Sequence, residues 1–167
     1  AYIDSLREHN IPFDPERVIK CSWGWNNRAN GGEAIIELLD RRGIAIDAVV
    51  SSCDNLAIGA LEELQRRKIR IPDDISLIGC DNIDECLLVW PQLSTVHHST
   101  DELAQTAFHL LQDRMLGKNT RAVAIVPAYP IFRQSSGWEH EFQDEQNKVA
   151  KLVANAIPAT SEHGKCD

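Results

Sequence analysis

Asp47-Ala48-Val49-Val50-Ser51-Ser52-Cys53-Asp54-Asn55-Leu56-Ala57-Ile58-Gly59-Ala60-Leu61 is the stretch that decides the fold. Residues 48–52 form a short run without polar alternation, as expected of a strand covered on both faces. Asp54 is a good N-cap. Behind it Leu56, Ala57, Ala60, Leu61 and Leu64 recur at helical spacing and point inward. Arg66-Arg67-Lys68 closes the helix, where cations suit its dipole. Pro72-Asp73-Asp74 is a turn, and residues 75–79 form a second buried strand. Strand, helix and strand in that order make a βαβ unit and a parallel sheet.

The same alternation continues on both sides. Downstream, Leu93-Ser94-Thr95-Val96 is a third short strand. Ser99 or Thr100 caps a helix to about residue 116, with Leu103, Ala107, Leu110 and Leu111 inward. Residues 123–132 are extended, and Pro127 and Pro130 mark them as an edge or a crossover. Upstream, Tyr2, Ile3 and Leu6 share a helical face, Pro12 and Pro15 force a loop, and residues 18–22 are β-prone. Asn30-Gly31-Gly32 opens a helix that Gly43 ends. The fold class is α/β, a parallel sheet flanked by helices.

Composition excludes several functions. Of 167 residues, 43% are apolar and 25% charged, which is ordinary for a globular chain. No apolar run approaches the ~20 residues of a membrane span, so no membrane partner is expected. Net charge is −8, and a domain that grips nucleic acid with its own surface is usually basic. The cysteines at 21, 53, 80, 86 and 166 are odd in number and form no C-x-x-C, which indicates a reducing cytoplasm. The opening Ala1-Tyr2-Ile3-Asp4-Ser5-Leu6 reads as the interior of a helix, hence as part of a longer protein.

Ligands of an open parallel sheet bind outside the carboxyl ends of its strands. Those ends read Ser22-Trp23-Gly24-Trp25-Asn26-Asn27, Cys53-Asp54-Asn55 and Cys80-Asp81-Asn82. An Asp beside an Asn supplies acceptors and donors, and a Trp supplies a flat apolar face. That set suits a polyhydroxylated ligand. Asp54 reads as a helix cap rather than a ligand group. Asp81 precedes no long helix and reads as a ligand contact, with Asn82 beside it. Trp23 and Trp25 flank Gly24 at this strand end, and at most one of them is expected to line a cleft. His97-His98 has no Cys or carboxylate at zinc-like spacing, so no metal is assigned. Gly31-Gly32 at a helix start is a weak anion signal. No G-x-S-x-G, G-x-G-x-x-G or G-x-x-x-x-G-K-[ST] occurs, and nothing pairs a nucleophile with a base. Neither an enzyme nor a cofactor is expected.

Three stretches together resemble one family. Residues 47–61 are similar to "D-A-V-x-x-x-N-D-x-x-A-x-G-A-L". Ile71-Pro72-Asp73-Asp74-Ile75-Ser76-Leu77-Ile78-Gly79-Cys80-Asp81-Asn82-Ile83 is similar to "I-P-x-D-I-S-x-x-G-F-D-N-I". Pro91-Gln92-Leu93-Ser94-Thr95-Val96 is similar to "P-x-L-T-T-V" and is followed by Glu102-Leu103-Ala104. These resemble the effector domain of the lactose/galactose repressor family, a relative of periplasmic sugar-binding proteins. The resemblance covers roughly residues 1–136. It implies the C-terminal lobe, with crossover segments, of a two-lobed, periplasmic-binding-protein-like (type I) sensor. Such a sensor closes around a small molecule that is sugar-like or nucleobase-like. It also implies a homodimer whose DNA-binding part lies outside this chain.

By position, the resemblance makes Asp81 the effector-binding aspartate and Trp25 the stacking aromatic, with Trp23 as the alternative. Cys53 stands where the family carries a hydrogen-bonding Asn, and Cys80 where an aromatic is common. Those departures imply either a different ligand or a lobe that has lost its ligand. Residues 137–167 form a second segment. Trp138, Phe142, Val149, Leu152 and Ala156 approximate a heptad, Pro158 ends it, and the last nine residues read as disordered. That helix either packs on its own domain or leads to an output module or partner. Two functions follow: effector domain of a transcriptional repressor, or sensory input of a protein with a downstream diguanylate cyclase or histidine kinase module. A third, an exported binding protein, is disfavoured by the five cysteines.

Overall fold

A computed structural model describes residues 2–20, 27–118 and 123–137. In chain order the elements are α1 (Tyr2–Glu8), α2 (Arg28–Ile36), β1 (Ala48–Val50), α3 (Asp54–Arg66), β2 (Ser76–Cys80), β3 (Ser94–His98), α4 (Thr100–Met115) and β4 (Ala128–Ile131). A π-helical turn, Glu37–Arg41, prolongs α2, and single 3₁₀ turns cover Pro15–Arg17, Asp84–Leu87 and Gln134–Ser136. The sheet has the order β1-β2-β3-β4. β1, β2 and β3 are parallel, with Val49 opposite Leu77 and Cys80 opposite Val96. β4 runs antiparallel to β3, with Pro130 opposite Val96. β4 lies at an edge of this sheet, as its prolines predict: a ring nitrogen cannot donate to a second neighbour.

The core lies between α3 and the sheet. Ile58, Leu61, Leu64, Leu77 and Leu93 are fully buried, with Ile35 of α2 beside them. Each such side chain contributes about 1.5–3 kcal/mol of transfer free energy. α2 and α3 cross at glycines. A Cβ on Gly31 would stand 1.9 Å from the Leu56 carbonyl oxygen, and one on Gly59 would stand 1.8 Å from that of Arg28. The two backbones touch, and only hydrogen fits between them. Arg67 then ties the helices together at their far end. It donates to both carboxylate oxygens of Asp40 (2.7 and 2.6 Å) and to Glu63 (2.6 Å).

The chain returns to the sheet at residues 133–136. Ser135 Oγ donates to the Leu77 carbonyl (2.6 Å) and accepts from the Ser94 amide (2.8 Å). Ser94 Oγ accepts from the Arg133 amide (2.7 Å). These bonds satisfy polar groups at the amino ends of β2 and β3.

Several expectations change. β1 is shorter than residues 48–52 and stands at the other edge of the described sheet, with Val50 74% exposed, because no described strand lies beyond it. Residues 18–20 form no strand; 21–26 lie outside the described residues. α4 forms where expected, and Ser99 Oγ accepts from the Glu102 amide (3.2 Å). Its expected inward face is not buried: Leu103, Ala107 and Leu111 are exposed and Leu110 is half-buried, since α4 meets little of the other described elements. The heptad segment lies among residues 138–167, outside the described residues.

Candidate functional site at the carboxyl end of the sheet

Because β1, β2 and β3 are parallel, their carboxyl ends share one edge. That edge collects Ser51 and Cys53 after β1, Cys80 and Asp81 at the end of β2, and His98 at the end of β3. It is organised from behind by Asp54.

Asp54 corrects the capping expectation. Cys53 is the N-cap residue of α3 and makes no side-chain cap, while Asp54 is the first helical residue and fully buried. Its carboxylate reaches across the sheet end instead. Oδ1 accepts from the Thr95 hydroxyl (2.6 Å), Oδ2 accepts from the Ile83 amide (3.0 Å), and the Cys86 thiol also donates to it. Burial and this bond push the Cys86 thiol up to about 12, so it stays protonated. Gly79 makes room for the arrangement: a Cβ there would stand 2.1 Å from Asp54 Oδ1.

The chain then turns sharply. Asp81 has φ 113° and Asn82 φ 56°, two successive left-handed residues that are not glycine. Such backbone costs on the order of 1–3 kcal/mol per residue unless its surroundings hold it. They do. The Asp81 amide donates to the Val96 carbonyl (3.0 Å), and the Asn82 amide donates to Thr95 Oγ1 (3.2 Å). The Asn82 side chain is engaged at both polar ends. Oδ1 accepts from Arg133 Nη2 (2.8 Å), and Nδ2 lies 3.3 Å from His97 Nδ1. Arg133 also donates to the Leu93 carbonyl (2.6 Å). Asn82 thus holds the turn, and Asp81 is presented outward from it with its side chain exposed.

The edge is electron-rich. Partial burial raises the Asp81 carboxyl above its ordinary range and the Asp54 charge adds to this, while His98 opposes it. Partial burial, Asp81 and Asp54 likewise raise the Cys80 thiol. The donor atoms of Cys80, Asp81 and His98 all lie within 4.8 Å of one another.

Of the predicted site residues, Asp81, Asn82 and Cys53 meet at this edge; Trp23 and Trp25 lie outside the described residues. Gly31 is not an anion loop: α2 starts at Arg28 under the Asn27 cap, and Gly31 packs on α3. The sequence gives no sign of Thr95 or Arg133, and His98 stands out in it only as half of a histidine pair without zinc-like spacing. Thr95 and His98 sit on the strand next to Asp81, and only the strand register brings them there. A separate groove of about 510 Å³ lies between residues 15–20 and α2, lined by Lys20, Glu33, Glu37 and Arg41 among others. Its charges are largely paired with one another, as in Arg41 with Glu33 (2.6 Å). No helix among the described residues is long and apolar enough to cross a membrane.

Comparison with known proteins gives one consistent result. Residues 1–136 match the family described as periplasmic binding protein-like domain. The HTH-type transcriptional repressor PurR of Photorhabdus laumondii is 34% identical over 125 residues, covering 75% of this chain and 36% of the relative. The HTH-type transcriptional repressor CytR of Escherichia coli K12 is 32% identical, covering 71% and 34%. Among solved structures, a sugar-binding transcriptional regulator of the LacI family from E. coli, complexed with phosphate, superposes with TM-score 0.70 at 30% identity, covering 80% of this chain and 47% of that one. The transcriptional regulator CelR in complex with cellobiose superposes with TM-score 0.72 at 26% identity, covering 80% and 40%. The chain therefore spans about a third of the length of these curated relatives.

Proposed function

Because this chain belongs to the periplasmic binding protein-like domain family, we propose that it is one lobe of the ligand-sensing domain of a transcriptional regulator. The relatives are named as transcriptional repressors, which supports regulation over a signalling-enzyme input and sensing over catalysis. One observation carries the reading. Asp81 is thrust out of the sheet end by a strained turn whose two amides and Asn82 side chain are bonded inward. A backbone held in that shape with an exposed carboxylate at its tip is a preorganised acceptor.

In this reading the Asp81 carboxylate accepts hydrogen bonds from vicinal hydroxyls or ring N–H groups of a small molecule. A Trp, 25 or 23, stacks on its apolar face. Cys53 sits at the neighbouring strand end, and Asn82 keeps the turn in place. The second lobe closes over the ligand. Closure shifts the population of two conformations, and operator affinity changes by the coupling between the two sites. The chain's net charge of −8 supports DNA contact through another part of the protein rather than through this one. The exposed apolar side chains Leu88, Trp90 and Phe108 support assembly as a homodimer in a cytoplasmic regulator.

The test is a thermal-shift panel of hexoses, disaccharides, nucleosides and nucleobases on the intact protein. A compound that stabilises the protein by several degrees, and does not do so for Asp81→Ala, supports the reading. A compound that stabilises both equally overturns the assignment of Asp81.

A further inference from the structure

We propose that Cys80, Asp81 and His98 form a binding site for a borderline divalent cation of the zinc class. The proposal deepens the sensor reading by adding an ion that Asp81 holds beside the small-molecule ligand, and it rests on that reading for its regulatory meaning.

The strand register builds the site. Residues paired across a sheet share a face, and Cys80 pairs with Val96. His98 lies two residues beyond Val96 and so returns to the same face. His97 points to the opposite face, where its ring packs on Tyr129 with centroids 5.1 Å apart and its Nδ1 meets Asn82. Asp81 would continue β2 to the far face, but its φ of 113° turns it back. The Asp81 amide is pinned to the Val96 carbonyl at 3.0 Å, which fixes its distance from His98. A thiol, a carboxylate and an imidazole from two adjacent strands thus converge, with their donor atoms within 4.8 Å of one another.

That spacing fits a small cation. Zinc bonds of about 2.0–2.3 Å place tetrahedral ligands roughly 3.3–3.8 Å apart, so each side chain needs to move by only about 1 Å. The donor set chooses the ion: sulfur and imidazole beside one carboxylate select a zinc-class cation over magnesium or calcium, which require oxygen. Binding displaces the Cys80 thiol proton to solvent and leaves a thiolate–metal bond. Three protein ligands leave a coordination position open, as in sites whose metal meets a further molecule. The negative charge behind the site is already placed, since buried Asp54 lies close enough to act on both Cys80 and Asp81.

The test is titration of the reduced, chelator-treated intact protein with Co²⁺, whose thiolate complexes absorb in the near ultraviolet. One equivalent should raise that band, and Zn²⁺ should bleach it. Cys80→Ser should abolish the band, and His98→Gln, at a partly exposed position, should weaken Zn²⁺ binding at least about tenfold. Unchanged circular dichroism in both variants would show that the fold is intact. No band, or a band that survives Cys80→Ser, overturns the proposal. If the band is absent while a sugar or nucleobase still stabilises the protein through Asp81, the ion is removed and the sensor reading stands. If neither binds, both fall.

Discussion

Asp54 on the first turn of α3 accepts a 2.6 Å hydrogen bond from the Thr95 hydroxyl of β3, and both residues are fully buried. This contact joins the helix to the far side of β2 and sets the shape of the edge from which Asp81 projects. Removing the hydroxyl leaves a buried carboxylate short of a partner. Thr95→Val should therefore lower unfolding stability by about 1–3 kcal/mol. Gly79→Ala should be at least as damaging, because its Cβ would enter the Asp54 carboxylate. Urea midpoints of both variants check this, and an unchanged midpoint for Gly79→Ala would contradict it.

Two adjacent glycines should respond with opposite sign. Gly31→Ala drives a methyl into the Leu56 carbonyl and should cost about 1–3 kcal/mol. Gly32→Ala meets only ordinary contacts, with Gly59 O at 3.5 Å and Glu63 Cβ at 3.6 Å. It should stabilise by about 0.4–1 kcal/mol, since alanine restricts the unfolded chain and favours helix. Chemical unfolding of the pair decides it.

Acid should loosen the packing of α2 on α3. Arg66 and Arg67 hold the Glu63 carboxyl below its ordinary range, and Arg67 does the same to Asp40. A depressed native pKa stabilises above the unfolded value, and that stability is lost as pH falls through the native one. The melting temperature should drop as pH falls through the ordinary carboxylate range and below it. Glu63→Gln should melt lower at neutral pH and show a shallower acid dependence. Thermal melts across that range measure both.

Asp81 should behave in the opposite way. Partial burial and Asp54 raise its native pKa, so its charge costs stability above that pKa, and the cost vanishes as pH falls through it. Without ligand, Asp81→Asn should melt higher than the wild type at neutral pH, with the difference shrinking on acidification. A pH-independent difference would assign the gain to backbone preference at φ 113° instead.

Much of the fold was legible in residues 47–83, because buried parallel strands and amphipathic helices write unalternating and 3.6-periodic patterns. β4 was legible as an edge from Pro127 and Pro130. The burial of α4 was not, since Leu103 and Leu111 keep a helical apolar pattern whether or not anything described covers it. An aromatic before a proline suggests a packing residue in a loop, yet Trp90 is 71% exposed. At the site, strand-end chemistry singled out Asp81. The role of Asp54 was hidden, because an Asp before a helix suggests a cap, while its partners Thr95 and Ile83 are 41 and 29 residues away. The meeting of Cys80 with His98 was equally hidden, since it depends on register and on a left-handed Asp81.

The most direct test of the account is calorimetric titration of the stabilising compound into the intact protein and into Asp81→Ala. The account predicts stoichiometric binding to the wild type and a loss of at least about tenfold in affinity in the variant, near 1.4 kcal/mol. Equal affinity for both proteins would contradict the claim that this sheet end, through Asp81, is the sensor.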